Sequence, residues 1–318
     1  MKPFKRTLET EYLITYSKQL FEAELQNRLN LTKVSAPLFV SQSSGLNDNL
    51  NGIETPVSFT LNGKSHEIVH SLAKWKRWYL GQLKAEIGEG IVTDMKAIRA
   101  DEVLSPIHSH FVDQWDWEKV IAKKDRTTHT LIEHGTAVYE ALKATDIKMS
   151  EKLKKTSKLP ESIKVIHTED LYKTYPRLSA KEREHMISKK YGAVLLIGIG
   201  DKLSSGEVHD FRAPDYDDWT TKDAQGKPGV NADVLVWDEI RQKSLEISSM
   251  GVRVDEKALE RQLKITGQDE RRKLPFHRAL LNGDLPYTIG GGIGQSRVVM
   301  FLSKTAEIST VQPIFEAI

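Results

Sequence analysis

The chain has 318 residues, 46 basic and 44 acidic side chains, a formal net charge of +2 and no cysteine. That length suits one large domain with a substantial core, and the lack of cysteine excludes disulfides, thiolate metal sites, iron–sulfur clusters and a cysteine nucleophile. The interspersed charges are not the footprint of a nucleic-acid binder. No apolar run approaches a membrane span, and no apolar segment follows the basic N-terminus as in a signal peptide, so a cytoplasmic location is expected.

Residues 8–31 read as an amphipathic helix, with Ile14, Phe21, Leu25 and Leu29 recurring near the helical period. Residues 34–40 read as a short strand. It contains Pro37, whose missing N–H places it at a sheet edge or an interface. Residues 57–61 and 67–70 flank Asn62-Gly63, the favoured two-residue turn of an antiparallel hairpin. A helix is predicted over 72–87, then strands over 95–99 and 110–117 joined by a polar loop with Pro106. A second long helix over 130–154 carries Leu131, Val138, Leu142 and Met149 on one face, and its lysine-rich end reads as a solvated surface.

Ser179-Ala180-Lys181-Glu182 is a capping box that opens a helix ending near Lys190. Residues 193–199 form a buried strand, 232–237 and 245–249 an antiparallel pair, and 255–266 a helix stopped by Gly267. A glycine-rich run, Gly290-Gly291-Gly292-Ile293-Gly294, precedes a last helix starting near Gln295. Short turns between strands and grouped helices predict an α+β fold, an antiparallel sheet backed by helices. No internal repeat or linker divides the chain, so a single catalytic domain over 1–318 is expected.

Dinucleotide, P-loop, zincin and serine-hydrolase motifs are absent. Arg99 ends one predicted strand, and the next carries Asp113-Gln114-Trp115-Asp116-Trp117-Glu118. Such a hairpin can cradle a nucleotide, with the arginine fork on a phosphate, or can simply form surface ion pairs. Asp233 and Glu246 on successive strands could share a magnesium ion or lie on a solvated face. The glycine run lets backbone approach a ligand closely. Arg297 follows in the first helical turn, where a cation opposes the helix dipole unless an anion neutralises it. Residues 209–219 crowd carboxylates and aromatics around Pro214 and read as a substrate-contacting loop.

Together these pieces resemble class II aminoacyl-tRNA synthetases. The Arg99 hairpin resembles motif 2, Gly290 to Arg297 motif 3, and Pro37 the motif 1 proline. More narrowly, the chain resembles the aspartate–ammonia ligases, or ammonia-dependent asparagine synthetases A. That likeness rests on His70-Ser71-Leu72-Ala73-Lys74-Trp75-Lys76-Arg77, the Asp113 to Glu118 run, Arg212 to Trp219, Glu246 to Arg253 and Thr288 to Arg297. It implies an eight-stranded antiparallel sheet, a homodimer, and asparagine made from aspartate, ATP and ammonia through a β-aspartyl-adenylate. It also implies catalytic roles for Asp48, Arg99, Gln114 and Arg297, and amino-acid binding by Lys76, Asp116, Asp217 and Arg253. ATP contacts would come from Arg99, Asp233, Glu246, Ser248, Gly292, Gly294 and Arg297, with Mg2+ on Asp233 and Glu246. Two alternatives share these motifs: a synthetase charging tRNA with aspartate or asparagine, and a non-catalytic sensor of amino acids or nucleotides.

Overall fold

A computed structural model describes residues 6–48, 50 and 54–314, so the basic residues 1–5 and Asn49 lie outside the described residues. Helix α1 (Leu8–Leu29) is capped by Thr7 and leads into strand β1 (Leu31–Val34). Next come β2 (Phe39–Ser41), the hairpin β3 (Ser58–Leu61) and β4 (Lys64–Ile68), and helix α2 (Ala73–Leu83). Strands β5 (Gly90–Ile98) and β6 (Phe111–Val120) precede the long helix α3 (Thr128–Lys152). A short unit, β7 (Lys164–His167) and α4 (Thr168–Thr174), is followed by α5 (Ala180–Tyr191) and β8 (Ala193–Ile197). The chain continues through β9 (Asn231–Asp238), β10 (Lys243–Val252), α6 (Glu256–Ile265) and α7 (Pro275–Leu281), then β11 (Thr288–Gly294) and α8 (Gln295–Ser303).

The main sheet has eight strands in the order β1-β5-β6-β11-β10-β9-β8-β7. Every neighbouring pair is antiparallel except β1–β5 and β7–β8, so the α+β expectation holds. The Asn62-Gly63 turn forms as read, with both residues at positive φ and Leu61 paired to Lys64. The Ser179–Glu182 capping box also forms. The strand expected over 34–40 does not. Residues 35–38, including Pro37, link two strands of different sheets, because a residue without an N–H cannot continue the ladder. β1 does take the sheet edge. β7, α4 and α7 escaped the pattern because each is too short to show a period.

Alternation in β6 sets the architecture. Trp115 and Trp117 point to one face and are buried against α1 and α3: Phe21 packs on Trp115 at 4.6 Å between ring centroids, and His134 stacks on Trp117. The apolar faces of α1, α3 and α8 cover that side, burying Leu25, Leu131, Val138, Leu142, Met149 and Val298. Residues out of phase with the tryptophans, Gln114, Asp116 and Glu118, face the other way. On that second face α2 packs over β5, β6 and β11, and α5 packs over β8, β9 and β10. The middle of the sheet between them is left open, and a cavity of about 380 Å³ occupies it.

Candidate active site

The glycine-rich run is the central strand β11, not a turn. Its glycines admit neighbouring side chains. A Cβ on Gly290 would lie 2.0 Å from Glu118 Oε2, and one on Gly292 would lie 2.6 Å from Gln114 Oε1. Gly290→Ala should therefore cost about 1–3 kcal/mol of stability, the usual penalty of overpacking, and lower activity as the floor shifts. Thermal unfolding and a turnover assay check this; an alanine variant with unchanged melting and activity would show that the floor yields freely.

Beneath the floor lies a buried charge network. Arg253 from the end of β10 donates through Nη2 to Glu118 at 2.7 Å and through Nη1 to Asp217. Thr288 Oγ1 donates to Glu118 at 2.6 Å. Lys76 on α2 is fully buried, donating to Asp116 and to the Trp117 carbonyl at 2.9 Å, with Glu118 at 3.7 Å. Burial works against ionised Glu118, yet Arg253 and Lys76 hold its carboxyl below the usual range. Burial pushes Asp217 up, opposed by Arg253 and Arg212, and it depresses Lys76 despite two carboxylates. The floor is thus a fully partnered ionic lattice that holds Asp116 and Asp217 in place.

At one end of the cavity Asp48 accepts from Ser71 Oγ at 3.0 Å and from the Leu50 amide at 2.9 Å. Arg99, leaving β5, is anchored by its amide to the His110 carbonyl and by Nη2 to the His70 carbonyl at 3.2 Å. Its buried Nε has no partner among the described residues, so the fork keeps a donor for a ligand. At the other end Arg297 lies in the first turn of α8, its Nη1 3.5 Å from Glu246. A bulge between Glu246 and Ser248 resets the alternation of β10, so Glu246 and Ser249 both line the cavity.

Ten of the expected residues therefore line one cavity: Asp48, Arg99, Gln114, Asp116, Asp217, Glu246, Arg253, Gly292, Gly294 and Arg297. Three do not. Lys76 sits below the floor. The bulge turns Ser248 away, and its hydroxyl donates to the Gly292 carbonyl at 3.0 Å. Asp233 stands behind Arg212, whose Nη2 holds both carboxylate oxygens at 2.6 Å. Loop 209–219 divides likewise: Asp210, Phe211, Arg212, Tyr216 and Asp217 line the cavity, whereas Asp215 and Asp218 anchor the loop. Asp215 accepts from Lys74, Arg271 and His277, and Asp218 from Arg126 at 2.6 Å. Sequence reading missed Ser71 and Glu118 as site residues and took Arg212 only as one member of the 209–219 loop; the Gln114-x-Asp116-x-Glu118 alternation was the available signal for Glu118.

The donor set fits a divalent cation in part. Glu246 faces the cavity, while Asp233 is engaged by Arg212. Burial, reinforced by the charge of Glu246, raises Asp233 to about 7 even beside that guanidinium, so negative potential accumulates there. A hard cation with oxygen ligands would relieve it. Among the described residues no group of three or more His, Asp or Glu side chains forms a ready-made metal cage.

A sheet of this order with a nucleotide-sized cleft on its open face is the class II aminoacyl-tRNA synthetase fold. Asparaginyl-tRNA synthetase from Pyrococcus horikoshii, solved with asparaginyl-adenylate, superposes with a TM-score of 0.70 over 95% of this chain and 68% of that one, at 12% identity. Aspartyl-tRNA synthetase from Entamoeba histolytica gives 0.64 over 94% and 57%, at 13% identity. At such identities the likeness is of fold alone. The family is decided by sequence: a profile described as aspartate-ammonia ligase matches residues 8–316. Aspartate–ammonia ligase from Clostridium perfringens is 52% identical over 98% of this chain and 91% of its own, and that from Bacteroides thetaiotaomicron 50% identical over the same shares. The chain belongs to the aspartate–ammonia ligase family, whose members make asparagine from aspartate, ammonia and ATP.

Proposed function

We propose that this cavity carries out that synthesis in two steps, adenylation of aspartate and capture of ammonia, with the ten cavity-lining residues named above dividing the work. The observation that carries the reading is the pairing, in one cavity, of two arginines at strand and helix ends with a buried cluster of carboxylates. A side-chain carboxylate oxygen of aspartate attacks the α-phosphorus of ATP, and the bond to pyrophosphate breaks. Arg99, placed by β5, takes charge developing on the α-phosphate; Arg297 holds the outer phosphates. Magnesium, when bound, would neutralise phosphate charge, held by Glu246 and by Asp233 once Arg212 turns aside. Asp116, Asp217 and Arg253 fix the amino acid, and Lys76 acts through Asp116 rather than by contact.

In the second step the nitrogen lone pair of ammonia attacks the acyl carbon, AMP leaves, and a proton passes to a carboxylate. Asp48 is that acceptor in this proposal, oriented by Ser71 and by the Leu50 amide. A thiolate-based glutaminase step is closed to a chain without cysteine. Homodimer assembly and a cytoplasmic location complete the proposal. The exposed Leu38 and Phe39 beside Pro37 support a covered surface there, and among the described residues no helix is long and apolar enough to cross a membrane.

Asp48→Asn tests the split between the steps. Pyrophosphate exchange into ATP, with aspartate and no ammonia, should stay within a few-fold of the parent, whereas asparagine formation should fall by roughly 10²-fold, the usual loss of a general base. Equal loss of both would remove Asp48 from ammonia capture. Failure of the parent protein to form AMP with aspartate and ammonium would overturn the whole reading.

A further inference from the structure

The phosphate end of the cavity is poor in net positive charge. Arg297 and Arg212 are its two guanidiniums, and they face Asp210, Glu246 and, just behind, Asp233. His108, also in the wall, has its pKa lowered by burial and by the charge of Arg297. Two guanidiniums that each already face a carboxylate do not by themselves prepare a site for a triphosphate. One more cation stands at the rim. Lys181, in the first turn of α5, reaches over the cavity edge with its Nζ 3.9 Å from Asp210 and 3.0 Å from Glu184. Its charge reaches Glu246 together with that of Arg297. The lysine side chain is 61% exposed, while Glu184 is buried and also accepts from His209 Nε2 at 3.1 Å.

Two features mark Lys181 as more than a surface ion pair. A cation in the first turn of a helix opposes the helix dipole, as Arg297 does in α8, and an anion between the two would satisfy both. Glu184 keeps a second partner when Lys181 leaves, because His209 Nε2 already contacts one of its oxygens in a buried site. The exposed end of Lys181 sits on a flexible stem that lets the ammonium follow a ligand.

We infer that Lys181 is a further phosphate-binding residue, whose ammonium leaves its contacts with Glu184 and Asp210 and holds the β- and γ-phosphates of ATP and the pyrophosphate product. The inference rests on the reading of this end as the phosphate end. Bound pyrophosphate would then lie between Arg297 and Lys181, and the return of Lys181 to Glu184 would accompany its release.

Calorimetric titration of the full chain with ATP and with inorganic pyrophosphate tests this, alongside steady-state assays. Lys181→Met should raise the Kd of both ligands about tenfold, the loss of one charge-assisted contact, and leave the KM for aspartate within about twofold. Lys181→Arg should recover most of the affinity. Unchanged pyrophosphate affinity in Lys181→Met would overturn the inference. So would an aspartate KM that rises in step with the ATP Kd, since that would mean the lysine merely props the Glu184–His209 contact and with it the loop bearing Asp217. Arg297→Ala separates the inference from its premise: weaker pyrophosphate binding there with no change in Lys181→Met removes Lys181 alone, whereas no change in either variant shows that the phosphates lie elsewhere.

Discussion

Arg99→Ala should lower turnover by roughly 10² to 10³-fold at saturating aspartate, ATP and ammonium, the loss expected when one donor to a developing negative charge is removed. The structure gives this prediction its discriminating control. Arg99 is partly exposed, and among the described residues its guanidinium makes one hydrogen bond, at 3.2 Å to the His70 carbonyl. Its removal should therefore leave the melting temperature close to that of the parent. Arg99→Lys should recover little activity, because an ammonium lacks the planar fork that grips two phosphate oxygens. Single-turnover formation of AMP would place the defect in the adenylation step. Near-normal turnover in Arg99→Ala, or a collapse in stability that accounts for the lost activity, would sink the assignment.

The largest effect on stability is expected from Arg253→Met. That guanidinium lies between Glu118 and Asp217, and all three side chains are almost wholly buried. Methionine fills much of the volume but leaves two carboxylates without their main counter-charge, which costs about 3–5 kcal/mol when one partner of a buried pair is removed. The pH dependence tests the cause. In the parent, the lowered pKa of Glu118 contributes stability above the ordinary carboxylate range, and this is lost as pH falls through the folded-state value. The raised pKa of Asp217 has the opposite sign: it costs stability as pH rises above the ordinary value. Without Arg253 both carboxyls shift upward, so both favour the protonated form. The deficit of the variant, read from urea midpoints, should be larger at pH 7.5 than at pH 5. An equal deficit at both would mean that lost packing, not uncompensated charge, is responsible.

Much of the fold was legible locally. The periodicity of α1 and α3, the Asn-Gly turn and the Ser179–Glu182 box depend on contacts within a few residues, and each formed as read. The site was legible chiefly through long stretches of family-like sequence. Its chemistry-bearing residues come from β5, β6, β10, β11, α8 and two loops, and no local period links them.

What the sequence determined by itself was the class of elements, the family and ten of the side chains and glycines that line the cavity. Pairing decided the rest. Four of the five residues from Gly290 to Gly294 carry no side chain, so nothing local distinguishes a ligand-hugging turn from a central strand; their pairing with β6 and β10 does. A bulge at Glu246 turns Ser248 out of the cavity and Glu246 into it, a change of parity that exists only relative to a neighbouring strand. Asp233 reads from the chain as a candidate metal ligand, and only the fold shows that Arg212, 21 residues earlier, grips both of its oxygens. Lys76 lies in the first turn of a helix that packs on the sheet, where it is fully buried and donates to Asp116 instead of lining the cavity. In each case a charge or a face could be read from the chain, but its partner lay on another element, and the partner sets what a buried charge can do.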